Sequence, residues 1–226
     1  MKRSEINNLI KEAMRFFREM NFALPAFAYF TPEDWRQIKN EAREIFELGL
    51  GWDVTDFGSG DFSRTGLFLF TIRNGKPSDS RYPKPYAEKI MIAGSGQVTP
   101  MHFHHRKMED IINRGGGDLA LELFHSTSDE GLDRSAKVTV SIDGINRTLQ
   151  PGEKLALSPG ESICLPPGLY HKFYGEKDRV LIGEVSMVND DAADNRFYEP
   201  AGRFPEIEED ERPEFLLCND YEKFLK

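Results

Sequence analysis

The chain has 226 residues, of which 39% are hydrophobic and 30% are charged, and its mean hydropathy is −0.52. This composition is typical of a soluble globular protein and excludes a disordered or membrane-embedded chain. The formal net charge of −9 at pH 7 argues against nucleic acid and anionic membranes as partners, because both bind basic surfaces.

Two amphipathic helices are predicted near the N-terminus. Apolar residues recur at spacings of three and four within residues 4–20, and Ser4 is a suitable N-cap for this first helix. The second helix is predicted to begin after Thr31, an N-cap followed by proline, and to end at Gly49 or Gly51. The aromatic side chains of both helices are expected to pack in a core.

Short strands with frequent turns are predicted for most of the remaining chain. They cover residues 67–72, 88–92, 98–103, 119–124, 137–142, 145–149, 154–157, 162–165, 171–174 and 180–187. Asp143-Gly144 is typical of a two-residue hairpin turn. Many short strands indicate a mainly β sandwich or barrel. We predict a helical cover, residues 1–52, packed on a β-barrel domain, residues 53–226, as a single structural unit.

Polar residues dominate the chain from Asp190 onward, and we expect this last part to wrap the barrel. The acidic run within residues 206–211 is interpreted as a solvated face. Two cysteines, Cys164 and Cys218, occur without a CxxC motif, and no signal peptide follows Met1. These features predict a cytoplasmic protein without a disulfide framework.

A group of histidines predicts a metal site. His102 and His104 are two positions apart, so on one strand their side chains point to the same face, whereas His105 points away. Glu109 follows after a bend, and His171 follows a proline- and glycine-rich turn. Imidazole and carboxylate ligands suit Mn²⁺, Fe²⁺, Co²⁺, Ni²⁺ or Zn²⁺. The four side chains are therefore candidate metal ligands.

Two segments around these residues resemble the motifs of the cupin superfamily. The first is Gly96-x5-His102-x-His104-x4-Glu109. The second is Gly160-x5-Pro166-x-Gly168-x2-His171-x3-Gly175, where cupins usually have asparagine in place of the last glycine. The resemblance implies a double-stranded β-helix, or jelly-roll, barrel with an N-terminal helical extension. It also implies that three histidines and one glutamate bind the metal.

The layout of the whole chain resembles the D-lyxose isomerase family of cupins. The resemblance includes the C-terminal signature Gly183-Glu184-Val185-Ser186-x-Val188-Asn189-Asp190-Asp191-x-x-Asp194-Asn195. It implies a metal-dependent aldose–ketose isomerase that interconverts D-lyxose and D-xylulose, and often D-mannose and D-fructose, through a cis-enediol. The family usually prefers Mn²⁺, although Zn, Co or Fe are compatible with the ligands, and it is commonly homodimeric.

Two charged residues in apolar strands are candidate catalytic groups. Glu184 lies in an otherwise apolar strand, where a carboxylate is costly unless it faces a functional cavity, and it is our candidate base. Lys89 has a similar setting and is expected to bind a sugar oxygen or to stabilise the enediolate. Glu184 would instead have a structural role if it pointed to solvent or paired with an arginine. Lys89 would have one if Glu88, which faces the opposite side of the strand, were the internal residue.

Further substrate contacts are predicted just after that strand. Asp194 and Arg196 are two positions apart and would converge on the sugar if the segment is extended. Arg106 and Lys107 lie between the predicted ligands, and both are expected in a solvent-exposed loop.

Two alternatives to the isomerase remain open from the residues. One is an Fe(II) cupin dioxygenase, which would favour an apolar pocket. The other is a non-catalytic sugar-binding cupin, which needs no carboxylate beside the metal. The charged groups at Glu184 and Lys89 argue against the dioxygenase, and the orientation of Glu184 distinguishes the non-catalytic cupin from an isomerase.

Overall fold

Long antiparallel strands form the body of the protein. The computed structural model describes residues 1–190 and 193–225, so Asp191 of the C-terminal signature lies outside the described residues. The strands of the described part are β1 (Gly51–Thr55), β2 (Leu67–Arg73), β3 (Tyr86–Ala93), β4 (Val98–His104), β5 (Glu109–Ser126), β6 (Leu132–Asp133), β7 (Val138–Ile142), β8 (Ile145–Leu149), β9 (Lys154–Leu157), β10 (Ser162–Leu165), β11 (Leu169–Met187) and β12 (Asn195–Phe197). The helices are α1 (Arg3–Glu19), α2 (Pro32–Gln37), α3 (Arg43–Glu47) and α4 (Tyr221–Phe224), with a 3-10 turn at Ala26–Tyr29.

β5 and β11 are the two strands on which the sheet is built. The main path runs β1-β2-β3-β11-β5-β10-β7-β8, while β6 and β9 pair with β5, and β4 pairs with β11 and β12. β11 therefore contacts β3, β4 and β5, and all the pairs are antiparallel. The predicted mainly β architecture is confirmed, and the hairpin turn at Asp143-Gly144 has positive φ at both residues, as its type requires.

Both faces of β2 are covered, which explains its continuous apolar sequence. Leu67 and Leu69 belong to the core inside the barrel. Phe68 and Phe70 point the other way, into a second core that α1 covers with residues such as Phe17. The alternation follows from the two-residue period of a strand. The helical cover is thus an apolar layer on the outside of the barrel.

Several local predictions are wrong for physical reasons. The segments 171–174 and 180–187 are one strand, β11, because both pair with β5. Residues 51–55 form β1, so position 52 lies inside a strand; the division into 1–52 and 53–226 stays a prediction. The predicted second helix is broken into α2 and α3.

Aromatic packing accounts for the break between α2 and α3. Trp35 of α2 and Phe46 of α3 both pack on Tyr221, with ring centroids 5.4 Å and 4.7 Å away. The intervening turn contains Asn40, a weak helix former, and lets the two rings reach the same tyrosine.

The acidic run is exposed, as expected, and three of its side chains also bind residues of α1. Arg3 is fully buried between the carboxylates of Glu209 and Asp220, both within 2.9 Å. The predicted N-cap, Ser4, lies inside the helix and donates instead to Asp210 at 2.7 Å. The C-terminal part therefore holds the helical cover in place.

Candidate metal centre and active site

Four side chains predicted to bind a metal ion lie together inside the barrel. His102 and His104 lie on β4, His171 lies on β11, and Glu109 is the first residue of β5. His102 pairs with His171 across the two strands, and their ring centroids are 4.1 Å apart. The ligand nitrogens of the three histidines lie within 4.8 Å of one another, and all four side chains are buried. This group could hold a metal ion.

Backbone carbonyls orient two of the imidazoles. Nδ1 of His102 lies 2.8 Å from the oxygen of Pro100, and Nδ1 of His171 lies 3.1 Å from the oxygen of Leu169. A ring that donates from Nδ1 keeps its lone pair on Nε2. Burial, with His171 and His104 nearby, holds the pKa of His102 well below its usual range. Neutral rings of this form are the ones that bind metal ions.

The remaining polar atoms of the group fit a bound cation. Both ring nitrogens of His104 and Nε2 of His171 are buried and have no hydrogen-bond partner among the described residues. Oε1 of Glu109 lies 3.3 Å from Nε2 of His104 and 3.1 Å from Nε2 of His171. Lone pairs and a carboxylate oxygen that converge in a buried space are stabilised by a cation between them.

Lys107, which was expected in solvent, is buried beside the proposed ligands, and that expectation is wrong. Its side chain is 4% exposed, and Nζ lies 2.7 Å from Glu109 and 3.0 Å from Glu184. Lys89 approaches Glu184 from the other side, at 3.3 Å, and donates to Asn189 at 2.6 Å. No local pattern indicated this position, because Lys107 precedes β5 and the two-residue period applies only within a strand.

The two lysines keep the buried carboxylates ionised. Burial would raise the pKa of Glu109, but the Lys107 ammonium and His104 outweigh it and hold the pKa well below the usual range. Burial acts in the same way on Glu184, whose pKa is nevertheless lowered by Lys107 and Lys89. The site therefore combines a charged carboxylate with nearby ammonium groups.

Comparison with known proteins identifies the family. A family model described as D-lyxose isomerase matches residues 1–221. The chain belongs to the D-lyxose isomerase family. Two members are called D-lyxose/D-mannose isomerase: that of Serratia proteamaculans is 52% identical over 228 residues, covering 100% of each chain, and that of Escherichia coli O157:H7 is 52% identical over 227 residues, covering 99% of this chain and 100% of the relative. The protein is therefore a sugar isomerase, as the resemblance implied.

Solved structures show that the D-lyxose isomerase family shares its fold with other isomerases. An L-ribose isomerase of Cellulomonas parahominis has a TM-score of 0.57 at 16% identity, over 92% of this chain and 98% of that chain. That of Geodermatophilus obscurus has a TM-score of 0.56 at 16% identity, over 87% of this chain and 92% of that chain. The predicted cupin barrel with its helical extension is confirmed. Among the described residues, no helix is long and apolar enough to cross a membrane.

The pocket of this D-lyxose isomerase family member opens from the histidine group. Its empty volume is about 570 Å³, which includes open solvent at its mouth. Polar and apolar side chains from seven strands (β1 to β5, β11 and β12), from two loops and from the segment after β12 line it: Thr55, Phe57, Leu67, Leu69, Lys89, Met91, Thr99, His102, His104, Lys107, Glu109, Ile111, Phe173, Glu184, Asn195, Phe197 and Arg203. Phe197 of β12 stacks on His102 with ring centroids 5.2 Å apart and an interplanar angle of 27°. The C-terminal part thus completes the pocket wall.

Glu184 and Lys89 both face this pocket. They are buried partners across β11 and β3, whereas their neighbours Val185 and Glu88 lie on the outer face. An inward carboxylate is the feature expected of an isomerase. Membership in the D-lyxose isomerase family supports the same conclusion over the dioxygenase and the non-catalytic alternatives.

Asp194 and Arg196 do not converge on the pocket, and the structure corrects that expectation. Asp194 lies before β12 and accepts hydrogen bonds from the backbone amides of Arg106 and Lys107, both at 2.9 Å. Arg196 points outward to Glu130, with Nε 2.8 Å from its carboxylate. The two-residue period applies only within a strand, and Asp194 precedes the strand.

The other residues between the ligands behave largely as expected. His105 is exposed, faces away from the ligand group and packs edge-on against Phe103, with ring centroids 5.0 Å apart. The Arg106 side chain is 70% exposed and lies near Asp194. Neither side chain lines the pocket among the residues that the structure describes.

Proposed function

We propose that this sugar isomerase interconverts D-lyxose and D-xylulose, and also D-mannose and D-fructose, through a cis-enediol intermediate. The observation that carries the proposal is the Glu184 carboxylate, which lies in the pocket 3.0 Å from Lys107 and close to the proposed ligands. The names of two relatives that are 52% identical over the full length support the choice of sugars.

Glu184 is the proposed proton carrier. Isomerisation of an aldose removes a proton from C2 and returns it to C1, while a proton moves between the oxygens of these carbons. A base near the sugar carbons must be ionised to take the first proton, and the lowered pKa of Glu184, which Lys107 and Lys89 maintain against burial, supports this role. The protonated Glu184 then delivers the same proton to C1.

Lys89 is proposed to bind the substrate as well as to assist the chemistry. Its ammonium lies 3.3 Å from Glu184 and 2.6 Å from Asn189, so it is buried at the pocket wall with further donor capacity. From there it would donate to a sugar oxygen and stabilise negative charge that develops on it. Asn189 would keep the ammonium in place while the substrate binds.

The proposed metal ligands are His102, His104, Glu109 and His171, and the proposed ion is Mn²⁺, with Zn²⁺, Co²⁺ and Fe²⁺ as alternatives. A divalent ion in this group supplies the Lewis acidity that polarises the sugar carbonyl. The buried nitrogens of His104 and His171 that have no hydrogen-bond partner among the described residues support the ligand assignment. We also propose a homodimer in the cytoplasm, as the family resemblance and the cysteine content suggest.

A sugar panel tests the proposed function. Metal-free protein is reconstituted with Mn²⁺, Co²⁺ or Zn²⁺ and incubated with pentoses and hexoses, and ketose formation is followed. We expect D-lyxose and D-mannose to be converted, and conversion to be lost after chelation and regained with metal. The proposal would be overturned if no aldose were converted with any of the three ions.

A further inference from the structure

We propose that Asp194 is a positioning residue that holds the loop between β4 and β5, so that Lys107 reaches Glu184. Asp194 was expected to bind substrate, but its contacts point to a different task. The inference rests on the proposed function, since it concerns the lysine beside the proposed base. It assigns a role to the C-terminal part of the chain in the geometry of the site.

A single residue satisfies three consecutive backbone amides of this loop. The backbone oxygen of Asp194 accepts from the amide of His105 at 3.0 Å. Its carboxylate accepts from the amides of Arg106 and Lys107, at 2.9 Å to Oδ1 and 2.9 Å to Oδ2. The carboxylate is 5% exposed, so these bonds to a charged acceptor are shielded from water. The path of the loop is thereby closely defined.

The loop connects two proposed metal ligands, and its path sets the position of an ammonium. His104 ends β4 and Glu109 begins β5, with only residues 105–108 between them. Within this loop, Lys107 spans the gap between Glu109 and Glu184, at 2.7 Å and 3.0 Å. A lysine side chain is flexible, so its backbone must be held for the ammonium to stay between two carboxylates. Asp194 provides that hold.

The position of Asp194 indicates that it holds the loop and does not contact the substrate. Among the described residues, the pocket lining includes Asn195 and Lys107 but not Asp194. Both carboxylate oxygens of Asp194 are already engaged with backbone amides. Asp194 therefore acts without contacting the substrate, through the loop that carries Lys107.

Aspartate is specifically suited to this task. Both of its oxygens accept hydrogen bonds, one for each amide. Asparagine has nearly the same shape but presents an NH₂ group, which cannot accept from the amide of either Arg106 or Lys107. The substitution Asp194→Asn therefore removes one bond without changing the volume of the side chain.

The test compares Asp194→Asn, Lys107→Met and the double variant in the metal-loaded enzyme. We expect Asp194→Asn to lower kcat by about ten- to a hundredfold with KM nearly unchanged, because the ammonium is misplaced but no substrate contact is lost. In the Lys107→Met background, Asp194→Asn should cost nothing further, since its effect passes through Lys107. Asp143→Asn is the matched control, a carboxylate-to-amide change at an exposed residue of the turn between β7 and β8, and should leave both constants unchanged.

Hydrogen exchange tests the same proposal without activity or metal. In metal-free wild-type protein, the amides of Arg106 and Lys107 should be protected although the loop is at the surface. In Asp194→Asn, at least one should exchange about tenfold faster or more. If Asp194→Asn does not fold, two other measurements test the proposal. These are the amide protection in the wild type and the kinetics of Asp194→Glu, which keeps the charge but moves the oxygens.

The outcomes separate the two proposals. A raised KM with unchanged kcat, independent losses in the double variant, or unprotected amides in the wild type would each overturn the positioning role of Asp194. Asp194→Glu with wild-type kcat would do the same. A wild-type enzyme that converts no aldose would instead overturn the proposed function, while the exchange experiment would still decide whether Asp194 holds the loop.

Discussion

The Lys107 ammonium donates to the Glu184 carboxylate at 3.0 Å, although the two residues are 77 positions apart in the chain. Both side chains are buried. The contact joins the loop after β4 to β11, and thus connects a proposed ligand segment with the proposed base. Removal of either partner of a buried ion pair strongly lowers stability, so substitutions at Lys107 and Glu184 test the contact directly.

Removal of the proposed base should stop proton transfer. We expect Glu184→Gln to lower kcat by about 10²- to 10⁴-fold, because general base catalysis is lost while the shape of the pocket is kept. Exchange of the sugar C2 proton with deuterated solvent should fall in parallel. The control is Glu88→Gln, on the outer face of β3, which should retain activity. Full turnover by Glu184→Gln would exclude Glu184 as the proton carrier.

Removal of Lys107 should destabilise the metal-free protein. Lys107→Met conserves volume but leaves Glu109 and Glu184 without their shared cation, so we expect the free energy of unfolding to fall by about 3 kcal/mol. Urea denaturation measures it. Lys154→Met, which breaks an exposed pair with Glu176, should cost less than about 1 kcal/mol. Equal stability of Lys107→Met and the wild type would contradict the buried ion-pair description.

Loss of one imidazole should weaken metal binding. Even an outer hydrogen-bond partner of a ligand changes metal affinity by ten- to a hundredfold, so His171→Ala should lower Mn²⁺ affinity by at least about a hundredfold. Titration calorimetry on metal-free protein measures this. His105→Ala, at an exposed imidazole that faces away from the group, is the control and should bind normally. Unchanged affinity in His171→Ala would remove His171 from the ligand set.

The contact between α1 and the acidic run predicts a pH-dependent stability. Hydrogen bonds from Arg3 and then Lys223 lower the pKa of Glu209 from 4.5 to about 2, although burial opposes this. The folded state therefore favours the ionised form. Its contribution is complete above about pH 4.5 and is lost as the pH falls towards about 2.

A Glu209→Gln variant isolates this contribution. The difference in the free energy of unfolding between wild type and variant should be constant from pH 7 to pH 5 and shrink steadily below pH 4.5. Urea denaturation at each pH measures it. Glu208→Gln is the control, since Glu208 contacts α1 through its backbone. A difference that stays constant at low pH would contradict the assigned pairing.

Arg196 is expected to be dispensable for substrate binding. Its guanidinium points to Glu130 on the surface, so Arg196→Gln should leave KM for D-lyxose unchanged. Steady-state kinetics measure this KM. Lys89→Gln provides the contrast, because Lys89 lines the pocket and its loss should raise KM. A raised KM in Arg196→Gln would mean that the guanidinium turns inward when the sugar binds.

Local patterns were enough to predict the features that depend on one strand. His102 and His104 share a face because strands have a period of two, and Glu184 was recognisable as a charge in an apolar strand. These predictions use only neighbours in sequence. The positions of Lys107 and Asp194 depend on partners far along the chain, 77 and 87 positions away, and could not be read from local pattern.

Errors in the predicted elements have the same origin. The break between α2 and α3 follows from the packing of Trp35 and Phe46 on Tyr221, near the other end of the chain. The acidic run is exposed as predicted, but its contact with the buried Arg3, some 200 positions earlier, could not be predicted from local pattern. Periodicity predicts which face is apolar, but it does not identify the segment that covers that face.

The irregular middle of β11 decides which chemistry the strand presents. His171 and Glu184 are an odd number of positions apart, so a perfectly regular strand would direct them to opposite sides. The register against β5 shifts between Glu176 and Val180 and again between Leu181 and Ile182, and the inward side changes from odd to even numbers there. The irregularity thus compensates for the odd separation, so that His171 and Glu184 both point into the barrel. A one-residue deletion in residues 177–179 that restored regular pairing would make this separation even, and the proposed base and the histidine would both still point inward.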